Sequence, residues 1–266
     1  MREIPMGNDN LEEFSRRLLL FGKLPVPGRV KTRLALDLGS EIASRFAAAM
    51  LVDRISNLLS VKALRIFCGD REDASLFFPY LSRTGFHSLS KRGRIDGRDS
   101  RSDVERWYYT DQGSGSLGQR LCISMTDALC SAKNVVVLVG SDAPAQKECD
   151  IQAAFDHVNR GETVLQASSD GGFCLLGLPG GDSNLAQRVL GTFRSADSIS
   201  FKDLKIKLES LGKSPRLLEP VNDIDDLRDL QELLRQIGSD PHLARKLPII
   251  RHELEKLPKD VWRLSP

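Results

Sequence analysis

Five consecutive apolar residues, Val135 to Val139, four of them valine, limit the fold more than any other part of the chain. β-Branched side chains favour strands, and a strand without polar alternation meets water on neither face. The run therefore belongs at the centre of a sheet covered on both sides, in an α/β protein. Leu18 to Phe21 predicts a second buried strand. A helix follows from Gly39-Ser40, with Ile42, Phe46, Met50, Ile55 and Leu58 at helical spacing, and then a strand from Ala63 to Phe67 ending in Cys68-Gly69-Asp70. Strand, helix, strand is the opening of a parallel sheet.

Further along, the patterning predicts a short helix from Asp73 to Leu81, a polar insertion from Lys91 to Arg106, and a helix from Leu117 to Cys130. After the central strand come a helix from Ile151 to Asn159, strands at Thr163–Ala167 and Phe173–Leu178, and helices at Leu185–Leu190 and Ser200–Leu211. A last strand spans Arg216–Leu218, followed by a helix from Asp223 to Leu234. With 266 residues and 41% hydrophobic content, the chain can fill one large core. The expected organisation is a flexible lead-in over residues 1–15, a main domain over 16–237, and a helical appendage over 238–266.

Charge narrows the partners. Lysine plus arginine (38) nearly balances aspartate plus glutamate (36), for a formal charge of +2. No nucleic-acid partner is expected, so any basic site must be local. The five cysteines include no C-x-x-C pair and suit reduced thiols. No apolar run approaches the roughly eighteen residues that span a bilayer, and the polar opening stretch MREIPMGNDNLEEFSRR lacks the apolar core expected of a signal peptide. The expected setting is cytoplasmic.

One local basic segment stands out. The strand Leu18–Phe21 empties into a stretch carrying Lys23, Arg29, Lys31 and Arg33 around Pro25, Pro27 and Gly28. Proline stiffens the backbone and glycine lets it turn, as a preformed anion site requires. Two acids also fall at strand ends: Asp142 in GSDAP and Asp170 in SSDGGF. In open α/β sheets, ligands bind at the carboxyl ends of the strands. A carboxylate there can hold Mg²⁺ or Mn²⁺ against a diphosphate while nearby cations neutralise the remaining charge. The bland alternatives are a solvated cationic face, a helix cap at Asp142 and a plain hairpin turn at Asp170.

Other motifs fare worse. Gly22 to Thr32 is no Walker loop, because Arg29 and Val30 separate Gly28 from Lys31. Gly113 to Gly118 fits G-x-G-x-x-G, but ERWYYTD before it is a poor strand, and the acid of a dinucleotide fold is missing. No G-x-S-x-G elbow occurs. In VNDIDDLRDL, Asp226 and Asp229 suit a helix start, whereas Asp223 and Asp225 lie ahead of it.

Taken in order, F-x-K-x-P-x-P-G-x-V-K-T-R-L from Phe21, G-x-L-G-x-R-L, V-G-S-D-x-P, D-G-G-F-x-L-L-G-L and D-I-D-D-L resemble the selenodomain-associated transferase 1 family. These are proposed bacterial glycosyltransferases of the nucleotide-diphospho-sugar transferase superfamily. The resemblance runs from Leu18 to Leu234. It implies a glycosyltransferase-A-like three-layer sandwich with a mostly parallel central sheet flanked by helices. It also implies Lys31 and Arg33 at the phosphates, with Lys23, Gly28, Thr32 and Ser141 beside them. Asp142 takes a metal role, Asp223 or Asp225 a second metal contact, and Asp170, Gly171 and Gly172 the acceptor side. Arg29, at a variable motif position, is expected to be solvated. The chain has Phe173 and Arg194-Ser195 where members commonly carry tyrosine and a tryptophan-serine pair, both on the acceptor side.

The function expected is a transfer from a nucleotide-diphosphate sugar to an unknown small-molecule acceptor, with Mg²⁺ or Mn²⁺ on Asp142. Asp170 would position or deprotonate the acceptor hydroxyl. The alternatives are a nucleotidyltransferase that releases pyrophosphate from a nucleoside triphosphate, and a non-catalytic nucleotide-binding module.

Overall fold

The computed structural model describes residues 15–83, 107–193 and 198–257. The expected insertion at Lys91–Arg106, the lead-in up to residue 14, Arg194-Ser195 and the tail residues Val261, Trp262 and Leu264 lie outside the described residues.

Seven strands form one sheet in the order β3-β2-β1-β4-β6-β5-β7. They are β1 (Arg16–Phe21), β2 (Leu64–Gly69), β3 (Trp107–Asp111), β4 (Val135–Gly140), β5 (Val164–Ser168), β6 (Phe173–Leu178) and β7 (Arg216–Val221). Only β6 runs antiparallel to its neighbours. The valine run is β4, near the middle and between β1 and β6, as its apolarity requires.

Successive side chains of a strand point to opposite faces, and here both faces are dry. Leu18, Leu20, Val135, Val137 and Val139 point to one face, where α2 (Ser40–Asn57), α3 (Phe77–Arg83) and α5 (Glu148–Asn159) cover them. Leu19, Ile66, Val136, Leu138 and Leu176 point to the other, beneath α4 (Leu117–Ala128), α6 (Leu185–Leu190) and α7 (Phe201–Ser210). The result is the three-layer α/β sandwich with a mostly parallel sheet. A third apolar cluster lies outside the sheet: Phe46 and Met50 of α2 meet Leu230 and Leu233 of α8 (Leu227–Ser239) and Ile250 and Leu254 of α10 (Pro248–Glu255). Between them lies α9 (Pro241–Lys246).

Four local expectations are corrected. Within ERWYYTD, Trp107–Asp111 is a strand after all: Trp107 is buried and β3 pairs with β2, so tertiary packing overrides a weak local pattern. The basic segment is not loop throughout, because Thr32–Leu38 forms α1, which places Thr32 and Arg33 in its first turn. The last strand reaches Val221 rather than Leu218. The helix after it starts at Leu227, not Asp223, because Asp226 caps it, accepting the backbone N–H groups of Arg228 and Asp229.

All five thiols are free, with Cys68, Cys122 and Cys174 buried. Among the described residues, no helix is long and apolar enough to cross a membrane.

Candidate active site

Because β1, β4, β5 and β7 run in the same direction, the segments that follow them emerge at one edge of the sheet. Those segments carry Lys31, Asp142, Asp170, and Asp223 with Asp225. Two backbone bonds fix the segment after β7 to the others. Ile224 N–H donates to the Asp142 carbonyl (3.0 Å), and Leu34 N–H of α1 donates to the Asp225 carbonyl (3.1 Å).

An open cleft of about 380 Å³ lies here. Lys23, Lys31, Thr32, Arg33, Ser141, Asp142 and Asp225 line it, and Ala47, Met50 and Leu51 of α2 give it an apolar wall. Gly22 allows the close approach: a Cβ there would meet Ser141 Oγ at 2.6 Å. Gly28, Gly171 and Gly172 are not cleft-lining residues. Gly28 and Gly171 have φ of 78° and 89°, so glycine serves the turns there.

Lys31 is the centre of the charge pattern. Its ammonium donates to Asp225 Oδ1 (2.9 Å) and lies 3.5 Å from Asp142 Oδ2, with the side chain only 10% exposed. Burial pulls the Lys31 pKa down, but Asp142 and Asp225 more than offset this, leaving it raised. Arg33 is different: it is 71% exposed and reaches Asp225 only at 3.7 Å.

Asp170, Asp223 and Asp225 form a second focus, each offering a carboxylate oxygen within 4.8 Å of the others. Asp223 is pushed up to about 6, first by burial and then by the charges of Asp170 and Asp142. Such mutual repulsion is what a divalent cation relieves, and an all-oxygen donor set suits Mg²⁺ or Mn²⁺. The residues therefore fit the metal expected from the sequence, although the three-acid group contains Asp170 where Asp142 was expected. Asp142 faces Lys31 instead, and it is no helix cap, since α5 starts six residues on and Lys147 holds its N-cap position. Asp170 does sit in the β5–β6 hairpin turn, where its Oδ1 accepts Gly172 N–H (2.7 Å).

Two further lining residues of the cleft were not foreseen. Arg120 lies over the Phe21 ring at 5.8 Å, and buried Gln112 donates through Nε2 to Asp70 Oδ1. Both line the cleft. Arg120 stands in the G-x-L-G-x-R-L motif, which was the available signal; Gln112 gave none. Arg29 corrects an expectation, for it is not simply solvated. It bonds Asp70 (3.0 Å) and Asp73 (3.4 Å), and Asp73 also accepts Leu24 N–H (3.1 Å). These bonds tether the basic segment to the segment after β2.

Beneath the site lies buried Arg54, which donates to the Gln146 carbonyl (3.3 Å) and to its side-chain oxygen. Gln146 donates in turn to Gln166, and Gln166 to the Glu219 carbonyl (2.7 Å). Burial lowers the Arg54 pKa to about 10. The glycines at 113–118 have local roles: Ser116 and Gln119 form a capping box on α4, and a Cβ at Gly118 would meet the Phe193 carbonyl oxygen at 1.8 Å.

Three comparisons bear on this arrangement. Residues 88–195 match a family model described as "Uncharacterized protein conserved in bacteria (DUF2064)", a span that includes Asp142 and Asp170. No curated protein matches the chain. Among solved structures, the chain is similar to a proposed nucleotide-diphospho-sugar transferase from Desulfovibrio desulfuricans G20. The two are 23% identical, with 90% of this chain and 98% of that one covered, at a TM-score of 0.71. It is also similar to a cytidylyltransferase from Leptospira borgpetersenii serovar Hardjo-bovis, strain JB197, at 12% identity, covering 95% and 99% of the respective chains, with a TM-score of 0.50. The sandwich is thus the fold of nucleotide-diphospho-sugar transferases and cytidylyltransferases.

Proposed function

We propose that the protein transfers a glycosyl group from a nucleotide-diphosphate sugar to a small-molecule acceptor, as a relative of the selenodomain-associated transferases. The observation that carries this reading is the meeting of Lys31 with Asp142 and Asp225 on one cleft, beside the three-carboxylate group. An enzyme for diphosphate leaving groups needs cations and metal-ligating oxygens side by side.

In this reading, Asp223 and Asp225 hold the metal with Asp170 or Asp142. A bound Mg²⁺ or Mn²⁺ supplies Lewis-acid neutralisation of the departing diphosphate. Lys31, Arg33 and Lys23 bind the phosphate oxygens, with Thr32 and Ser141 as hydroxyl donors. Arg120 and Gln112, which also line the cleft, receive the nucleoside, where the guanidinium over Phe21 leaves a flat cationic face. Asp170 orients the acceptor hydroxyl and takes its proton through its second oxygen, since Oδ1 holds the turn. Residues 16–237 then form the transferase unit and α9–α10 an appendage to it, and the free thiols suit the cytoplasm.

The second reading, nucleotidyl transfer, is favoured by the number of cations along the cleft, which would also serve a triphosphate. One experiment separates the two: incubation with a panel of sugar nucleotides and nucleoside triphosphates with Mn²⁺, followed by chromatography. Release of a nucleoside diphosphate from a sugar nucleotide is expected, whereas pyrophosphate from a triphosphate supports the alternative. Asp142→Ala should lower turnover by at least about a hundredfold. Full activity in that variant would remove Asp142 from the site, and tight nucleotide binding with no donor consumed would leave only the binding module.

A further inference from the structure

Lys31 does something that phosphate binding alone does not require. It is the only non-glycine residue with positive φ among the described residues (φ 47°, ψ 48°), and it stands at the N-cap position of α1. That conformation is unfavourable for a side chain with a β-carbon. With it, the ammonium lies deep between Asp225 and Asp142 rather than out in the cleft mouth, where Arg33 lies. A buried ammonium needs counter-charge, and these two carboxylates provide it.

Asp225 is also one of the three clustered carboxylates. One carboxylate therefore serves two cation positions: the ammonium on Oδ1, and whatever the cluster holds. Two positive charges on a shared carboxylate oppose each other. A lysine, however, is a point charge on a four-carbon stem, free to turn toward a new anion while its backbone stays in place.

We propose that Lys31 is a built-in counter-cation that blocks metal binding until a diphosphate draws it away. This rests on the transferase reading above and adds an order to it: the site charges with metal poorly on its own and well when the nucleotide arrives. Linkage makes the effect reciprocal, so metal strengthens diphosphate binding by the same factor. The device keeps a bare divalent ion from occupying the acids without substrate.

The test is calorimetric titration of the full chain with two separate probes: Mn²⁺ in phosphate-free buffer, and inorganic pyrophosphate in metal-free buffer. Wild type, Lys31→Met and Lys31→Arg are compared. Lys31→Met has the same backbone cost as lysine and lacks only the charge. It should bind Mn²⁺ about tenfold more tightly than wild type and pyrophosphate about tenfold more weakly. Lys31→Arg keeps the charge and should keep Mn²⁺ binding near the wild-type value. If Lys31→Met does not fold, Lys31→Gly, which accepts the left-handed backbone, carries the same expectation. Mn²⁺ affinity unchanged or weaker in the neutral variants overturns the counter-cation role, because a purely structural ion pair would give that result. Mn²⁺ and pyrophosphate are also titrated together: in wild type each should raise the affinity of the other. Wild type that binds neither Mn²⁺ nor pyrophosphate, separately or together, overturns the transferase reading itself.

Discussion

Asp223 shows what crowding carboxylates together does to stability. Burial and the neighbouring carboxylates of Asp170, Asp142 and Asp225 raise its pKa to about 6, so its charged form is disfavoured in the folded protein. A raised carboxyl contributes stability that is complete below its unfolded value near 3.8 and lost as pH climbs through about 6. At pH 8 the charge is a net cost, on the order of 1 kcal/mol once solvent screening of this half-buried group is allowed for. Asp223→Asn should therefore raise the melting temperature of the metal-free protein by a few degrees at pH 8 and reduce Mn²⁺ affinity at least about tenfold. A scanning-fluorimetry series with and without Mn²⁺ checks both. If the variant is destabilised without metal, the repulsion is not real.

At the scale of elements, α2 is where the C-terminal helices attach. Arg45, Asp53 and Asn57 follow one another at helical spacing and reach Glu253, the N–H groups of Ile249 (3.2 Å) and Ile250 (2.9 Å), and the Lys246 carbonyl (3.0 Å). Asp53 thus caps α10 from another helix. Burial pushes its carboxyl up to about 7, against the two N–H donors that favour the charge. By the same sign, stability should fall as pH rises from about 4 to about 7, by up to about 4 kcal/mol from this group alone. Asp53→Asn should flatten that part of a urea-denaturation profile, and Asp53→Ala should lose a further 1–2 kcal/mol or so of capping. A wild-type profile flat from pH 4 to 7 would rule this out. None of it was legible in the sequence, because Asp53 lies in an ordinary helical pattern and its partners are almost two hundred residues away. The strands were legible where packing leaves a one-dimensional trace, as in Val135–Val139. β3 was hidden because Trp107 and Tyr109 depend on β2 and α3 to bury them. Of the side chains that the structure brings together at the cleft, Lys31, Asp142, Asp223 and Asp225 were legible, as charges that no core needs. Gln112 and Arg54 left no trace, since one polar residue in a chain does not reveal whether water reaches it.

Across the whole molecule, the sheet divides into an interior that tolerates little change and an edge that tolerates much. Val137 is fully buried in β4, whereas Leu217 on edge strand β7 is 51% exposed. Val137→Ala should cost about 2 kcal/mol in chemical denaturation through its cavity, and Leu217→Ala less than about 0.5. Equal costs would mean that β7 is covered by something else. The same layout sets a schedule on the ribosome. Lys31 and Asp225 are 194 residues apart, and the strand that delivers Asp223 and Asp225 is the last to be made. At a synthesis rate of roughly 5–20 residues per second, the basic segment waits about 10 to 40 s for its acidic partners. Until then, its ammonium has no complete cage of counter-charge, and a chain released early exposes the β5 edge that β7 covers. The cleft is therefore completed only once β7 and the segment after it have been made.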